Sequence, residues 1–161
     1  MPVYEIVDYS AFKTKIEKYL STIKGLNLSC FRRSMQGRDL WKWIKEVKGA
    51  HLFVNEVNGK IVCALYFIVV PELKLAKYAI GMVPDFSRKT GKYFKELLDW
   101  VCRNKWQEYN VEWGEFVSIE PIFLWCKELF GDFLEVKDVK SDTVLGTCYF
   151  FTVKIKGFAL S

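Results

Sequence analysis

The dipeptide Asn58-Gly59 constrains the fold of this chain more than any other feature, because it lies between two runs of β-forming residues. The first run covers residues 51–57 and the second covers residues 60–70. Asn-Gly favours the tight turn that joins antiparallel strands, since both residues adopt positive φ at low cost. The sequence therefore predicts a β-hairpin with one long strand.

The remaining segments alternate between strand and helix patterns. Strands are predicted at 3–7, 75–83, 110–119, 133–139 and 147–155, helices at 9–23, 91–106 and 121–129, and a looser helical segment at 29–48. No repeat, linker or low-complexity segment interrupts the 161 residues. This order predicts one α+β domain over residues 1–161, with a mixed, mostly antiparallel sheet flanked by helices.

The composition limits the possible partners. The net charge is +5, and the basic residues are spread along the chain rather than clustered. This fits weak attraction to an anion such as a phosphorylated cofactor, and falls short of the basic stripe typical of nucleic-acid binders. No apolar run approaches the roughly 20 residues needed to cross a bilayer, so no membrane association is expected.

Cysteine and histidine usage bears on redox state and metal binding. There are five cysteines without a C-x-x-C pair, and His51 is the single histidine. The pattern favours buried, reduced thiols in a cytoplasmic protein and supplies no metal-ligand cluster.

A basic turn that contains a glycine follows the predicted strand 75–83 and leads into the next helix. It reads Arg88-Lys89-Thr90-Gly91-Lys92. Free backbone N–H groups at the start of a helix bind anions, and basic side chains reinforce them. Gly91 is expected to adopt a backbone conformation closed to other residues. The turn therefore predicts a phosphate site; a solvated basic turn that caps an amphipathic helix is the alternative.

Two motifs resemble the GNAT superfamily of acyl-CoA N-acyltransferases. The spacing Val83-x-x-x-x-Arg88-x-x-Gly91 resembles the family's pyrophosphate loop, and residues 120–133 resemble the segment between its fifth and sixth strands. The resemblance implies direct transfer of an acyl group from acetyl-CoA, or another acyl-CoA, to a primary amine without a metal. The cofactor-binding residues that it implies are Gly81, Met82, Val83, Arg88, Lys89, Thr90, Gly91, Lys92 and Tyr93.

The sequence departs from the family pattern at three places. Tyr93 stands where the family has Gly or Ala, and the pair Leu97-Leu98 falls one residue later than usual. The family's frequent tyrosine, which protonates the departing thiolate, is replaced by Trp125 or Cys126. The loop and the general acid are therefore the two parts of the site that differ most from the family.

Four residues are the catalytic candidates under this resemblance. Cys126 could act as the acid, because an unperturbed thiol pKa of about 8.5 is close to that of a thiol leaving group; a packed core thiol, or a tyrosine from elsewhere such as Tyr78 or Tyr149, is the alternative. Glu115 and Glu120, together with Tyr78, are the candidates for the base. Glu115 lies either in an apolar setting or on the solvent face of its strand.

Other functions stay open at this point. A GNAT-like protein that has lost transfer activity would be a binding module, and a nucleic-acid-directed protein would use exposed aromatic and basic side chains. The acceptor amine is unidentified and could belong to a small molecule or to a protein. Arg32 and Arg33 either favour an anionic acceptor or form a solvated helix face. Both a monomer and a homodimer are compatible with the sequence.

Overall fold

The computed structural model describes residues 3–22, 47–142 and 146–161. The helical segment predicted at 29–48 lies outside these ranges except for its last two residues. Arg32 and Arg33, predicted either to favour an anionic acceptor or to form a solvated helix face, also lie outside the described residues.

In the described part of the chain, seven strands form one sheet in the order β1-β2-β3-β4-β5-β7-β6. They are β1 Val3–Glu5, β2 Ala50–Val57, β3 Lys60–Val70, β4 Leu75–Met82, β5 Trp113–Ile119, β6 Leu134–Asp142 and β7 Gly146–Lys154. Strands β4 and β5 are parallel, and the other neighbouring pairs are antiparallel. The predicted mixed, mostly antiparallel sheet is confirmed.

The hairpin predicted from Asn-Gly joins β2 to β3. Asn58 and Gly59 have φ angles of 51° and 77°, and Val57 pairs with Lys60. Two positive φ angles in a two-residue loop match the twist of the flanking strands. The local sequence alone therefore sets the connection between these two strands.

Helices cover both faces of the sheet. They are α1 Tyr9–Leu20, α2 Arg88–Trp100, α3 Trp106–Glu108, α4 Glu120–Phe130 and α5 Ile155–Ala159. On one face, Ile16 and Tyr19 of α1 pack with Ile80 and Met82 of β4. On the other face, α2, α4 and α5 bury Phe94, Phe123 and Phe158 in a cluster with strand residues such as Phe116 and Phe151.

The start of α2 differs from the prediction. The helix begins at Arg88 instead of Gly91 or Lys92, because Ser87 is the N-cap and its hydroxyl accepts a hydrogen bond from the Thr90 N–H. A serine at this position satisfies a backbone donor that would otherwise have no acceptor. At its other end, a single π turn, Val101–Lys105, joins α2 to α3. The predicted helix 91–106 is thus shifted towards the N-terminus and divided.

The C-terminal helix α5 was not predicted. The guanidinium of Arg103 lies 4.4 Å from the ring centre of Phe158, and its Nη1 donates to the Ala159 carbonyl at 3.4 Å. Contacts with the π turn therefore support a helix that is too short to show a periodic pattern. No helix in the described ranges is both long enough and apolar enough to span a membrane.

Candidate active site

Strands β4 and β5 separate towards their carboxyl ends. Their last register pair is Ala79 with Phe116. Beyond that pair, residues 80–82 continue to pair with β3, and residues 117–119 continue to pair with β7. We call the space between residues 80–82 and residues 117–119 the strand gap. Within it the backbones of β4 and β5 do not pair with each other, so an extended ligand placed there could form backbone-like hydrogen bonds with them.

A bulge in β4 marks the start of the strand gap. Tyr78 has a φ of 53°, and the β4–β5 register shifts between Ala76 and Ala79. Ala76 and Ala79 both belong to the hydrophobic cluster under α2 and α4. Residues three positions apart face opposite sides of a regular strand, so the bulge has changed which side chains face each side of the sheet. Tyr78, by contrast, is 41% exposed. A bulky residue at positive φ is strained, and such strain concentrates at functional sites.

The strain at Tyr78 can be tested with two substitutions. Gly normally destabilises a strand relative to Ala, but at positive φ the preference is reversed. We expect Tyr78→Gly to be more stable than Tyr78→Ala by about 1 kcal/mol in urea unfolding. The matched control is the same pair at Lys77, where Ala should be the more stable variant. Equal stabilities for the two Tyr78 variants would contradict the strained bulge.

A cavity of about 300 Å³ opens beside the bulge. It brings together Tyr78 and Glu115, two of the predicted catalytic residues. The carboxylate of Glu115 is half-buried and has no hydrogen-bond or ion-pair partner in the described part of the chain. An unpaired carboxylate beside a tyrosine can accept a proton from a bound amine.

The other lining residues were not identified from the sequence. They are Lys77, Phe116, Val117, Lys137, Phe150, Phe151 and Thr152. Strand alternation would have placed Phe150 and Thr152 beside Val117 and Glu115 once the β5–β7 register was known. The orientation of Lys77 could not have been found this way, because it depends on the bulge.

The N-terminus of α2 offers a smaller set of anion donors than the sequence predicted. The Thr90 and Gly91 N–H groups are already bonded to the side chain and carbonyl of Ser87, at 3.2 and 3.0 Å. Within the described ranges, the N–H groups of Arg88 and Lys89 have no protein acceptor, and both side chains are exposed. These two residues are therefore the part of the predicted loop best placed to hold a phosphate.

The structural reason for Gly91 differs from the predicted one. Gly91 lies within α2 and does not have a positive φ. A Cβ at this position would lie 2.5 Å from the indole Nε1 of Trp125 on α4. The expectation of a special backbone conformation is therefore wrong: the residue is small because α4 packs against it. Tyr93, further along α2, is half-buried against the core, and its carbonyl accepts a hydrogen bond from Asn55.

Three of the predicted cofactor-binding residues, Gly81, Met82 and Val83, lie on the β4 side of the strand gap or directly after it. Gly81 packs against α2 so closely that a Cβ there would lie 2.6 Å from the Phe94 ring. The Met82 carbonyl accepts a hydrogen bond of 2.6 Å from Tyr19, and Val83 is buried. Across the gap, the Ser118 hydroxyl is buried without a partner among the described residues. An unpaired polar atom beside two strands that no longer pair with each other fits a ligand that contains amide groups.

The other two catalytic candidates lie apart from the cavity. Cys126 is buried in the core, and burial raises the pKa of its thiol well above the usual value. Glu120 accepts a hydrogen bond of 3.2 Å from Tyr149, whose ring stacks on Phe123. Burial and the Glu120 carboxylate raise the pKa of the Tyr149 hydroxyl above its usual value. The structure thus groups Glu115 with Tyr78, and Glu120 with Tyr149.

Comparison by sequence finds no matching protein-family model and no similar curated protein. Solved structures are similar in fold. An aminoglycoside 6'-acetyltransferase type Ii matches with a TM-score of 0.68 and 9% identity over 96% of this chain and 97% of its own. A probable acetyltransferase from Staphylococcus epidermidis matches with a TM-score of 0.64 and 10% identity, over 93% and 96%.

A third match is partial. The spermidine N-acetyltransferase of Vibrio cholerae, in complex with CoA and spermine, has a TM-score of 0.57 and 11% identity over 74% of this chain and 73% of its own. At such low identity a match of this kind reports on fold alone. Two matches nevertheless cover more than nine-tenths of both chains, and so this chain has the fold of the GNAT superfamily.

Proposed function

We propose that the protein transfers an acyl group, typically acetyl, from acyl-CoA to a primary amine bound in the cavity. The observation that carries this proposal is the position of the cavity. The unpaired Glu115 carboxylate and Tyr78 lie where β4 and β5 begin to separate, so that a donor in the strand gap would meet an acceptor beside a proton-accepting group.

The residues at the strand gap fit an acyl-CoA donor. Its extended pantetheine arm contains amides that match the backbones of β4 and β5, where these strands no longer pair with each other, and the unpaired Ser118 hydroxyl. Its pyrophosphate fits the free N–H groups and side chains of Arg88 and Lys89. When bound, the donor supplies a thioester whose carbonyl carbon is open to attack by an amine.

The residues in the cavity supply the proton chemistry. An amine is mostly protonated near pH 7 and must lose a proton before it attacks. Glu115 accepts this proton, and Tyr78, which lines the same cavity, can orient the amine. The amine nitrogen forms a bond to the acyl carbon, the carbon–sulfur bond breaks, and the sulfur keeps the electron pair and takes up a proton. The net products are an amide, a free thiol and one proton.

The structural neighbours support an amine acceptor. By their names, one acts on aminoglycosides and another on spermidine, and the latter has been solved with CoA and spermine. Amine acetylation on this fold is therefore compatible with acceptors of different shape. Because fold does not determine function, the acceptor of this chain must be inferred from its own cavity.

One observation favours the second candidate function, a module that binds a ligand without transfer. The Asp85 carboxylate accepts a hydrogen bond from the Ser87 N–H, immediately before α2. A negative charge at this position repels a phosphate and would weaken binding of CoA. Measurements of CoA binding and of turnover, made separately, distinguish the two functions.

The first experiment is a thermal shift with acetyl-CoA and with CoA. Ligand at 100 times its dissociation constant stabilises a binder by about 2.7 kcal/mol. The double variant Arg88→Glu, Lys89→Glu should weaken binding at least about tenfold, since it replaces two charge-assisted contacts with repulsion. The unliganded variant should not lose stability, because acidic residues are favourable in the first turn of a helix.

A matched control changes the same number of charges elsewhere. Lys13 and Lys48 are exposed and lie outside both the strand gap and the cavity, so Lys13→Glu, Lys48→Glu should retain the shift. Equal losses in the two double variants would mean that net charge, and not this helix start, controls binding. A shift without turnover of any amine would favour the binding module.

A further inference from the structure

Two opposite charges line the cavity without pairing with each other. Lys77 and Glu115 stand on the neighbouring strands β4 and β5, yet they form no ion pair. The Lys77 ammonium lies 4.7 Å from the ring centre of Tyr78, and it has no carboxylate partner within the described ranges. Both charges are therefore available to a ligand.

The bulge explains why these two charges stay apart. Opposite charges on facing strands usually stabilise a sheet by direct contact. Here the register between β4 and β5 is interrupted between Ala76 and Ala79, and so Lys77 has no directly facing residue on β5. The strained backbone at Tyr78 thus holds a lysine and a glutamate on the wall of one cavity without neutralising either of them.

The other charges near the cavity are paired along β6. Lys137 lines the cavity and forms an ion pair of 3.2 Å with Glu135. Lys140 lies 3.7 Å from Asp138, with its ammonium 5.3 Å from the Phe150 ring centre. Among the described residues, the charged side chains that line the cavity without an ion-pair partner are therefore Lys77 and Glu115.

The apolar lining residues and the volume of the cavity limit the polarity and size of a ligand. Val117 and Phe150 provide an apolar surface beside the charges. The volume of about 300 Å³ is at the lower end of the range for small-molecule sites. A small ligand with an apolar part fits this wall, whereas a long polycation would place a positive charge against Lys77.

We propose that the acceptor is a zwitterion, a free amino acid with an apolar side chain. This inference rests on the proposed acyl transfer. The α-amine lies against Glu115, the carboxylate against Lys77, and the side chain against Val117 and Phe150. The two charges of the cavity thereby match the two charges of the ligand, and the transfer converts the α-amine into an amide with the proton balance given above.

The test compares amino acids with analogues that lack the carboxylate. Binding to the full chain is measured by isothermal titration calorimetry, with and without CoA, for phenylalanine, leucine and tryptophan, for their amides, and for spermidine. Each amino acid should bind at least about tenfold more tightly than its amide, because only the amino acid has a charged partner for Lys77. Thiol release from acetyl-CoA should follow the same order.

The variant Lys77→Met removes the charge and keeps the length of the side chain. It should weaken binding of the amino acids about tenfold and leave binding of the amides unchanged. Lys48→Met, at an exposed position outside the cavity, should change neither. A melting curve for each variant shows whether the fold is retained.

Different results would contradict the zwitterion inference and the proposed acyl transfer. If the amides or spermidine bind as well as the amino acids, or if none of the three amino acids binds, the zwitterion inference is wrong while transfer to another amine can stand. If acetyl-CoA neither stabilises the protein nor is consumed, the proposed function fails. Discrimination by Lys77 between amino acid and amide, measured without CoA, would then still support the ligand class.

Discussion

Replacing Glu115 with Gln is expected to slow acyl transfer by about 10²–10⁴-fold, the range for loss of a general base. Gln has the same shape but cannot take the proton from an ammonium group. In the described structure the Glu115 carboxylate has no partner, so the substitution breaks no bond within the protein, and stability should change by no more than about 0.5 kcal/mol. The measurements are kcat from thiol release and a melting curve.

Two further variants make this result specific. Glu120→Gln tests the other carboxylate that the sequence offers as a candidate base. Glu120 accepts a hydrogen bond from Tyr149 and does not line the cavity. Glu128→Gln is the control, since this exposed carboxylate on α4 pairs only with Lys95 among the described residues. A loss below about threefold for Glu115→Gln, or a larger loss for Glu120→Gln, would assign the base to another residue.

The parts of the fold that local sequence determines were predictable. Asn58-Gly59 predicted a hairpin, and β3 has the expected bounds of residues 60 and 70. The apolar period of residues 91–106 predicted a helix that packs on the sheet, and its buried face includes Phe94 and Leu97. In each case a pattern of neighbouring residues carries the information, and distant contacts only reinforce it.

The start of α2 was predicted incorrectly because two signals competed. The prediction followed the spacing of Arg88 and Gly91, which matched a known loop, and did not consider Ser87, which the structure shows to be the N-cap. A glycine indicates either a special φ angle or close packing, and the sequence does not distinguish between them. At Gly91 the reason is close packing against Trp125, a residue that is distant along the chain. From the sequence, Trp125 is interpreted only as a residue that replaces a catalytic tyrosine.

The sequence supplied two residues of the candidate site but neither the rest of its lining nor its arrangement. Tyr78 and Glu115 were selected from the sequence as catalytic candidates, and the structure places them in one cavity. Lys77, which gives that cavity its second charge, was not selected. The position of Lys77 depends on the bulge at Tyr78. The sequence around Tyr78 contains no signal of a positive φ angle, such as a glycine at the bulge.

Trp106→Ala is expected to destabilise the protein by about 3–5 kcal/mol, the usual cost of truncating a buried aromatic residue. Trp106 is fully buried and packs edge-on against Phe67, with ring centres 5.2 Å apart, and against Phe116 at 5.9 Å. Gly114 leaves room for it, since a Cβ there would lie 3.1 Å from the indole. Phe116 belongs to the last β4–β5 register pair before the strand gap. The space that Trp106→Ala leaves in the core therefore lies under the base of the candidate site.

The matched variant is Trp106→Phe, which keeps a ring in place. It also removes the indole N–H, which is buried without an acceptor in the described part of the chain, and losing an unsatisfied donor offsets part of the lost packing. Urea unfolding should therefore show a much smaller loss for Phe than for Ala. Equal losses would mean that the indole N–H has an acceptor that stabilises the fold. A loss of less than about 1 kcal/mol for Ala would mean that the core under β5 closes around the missing ring.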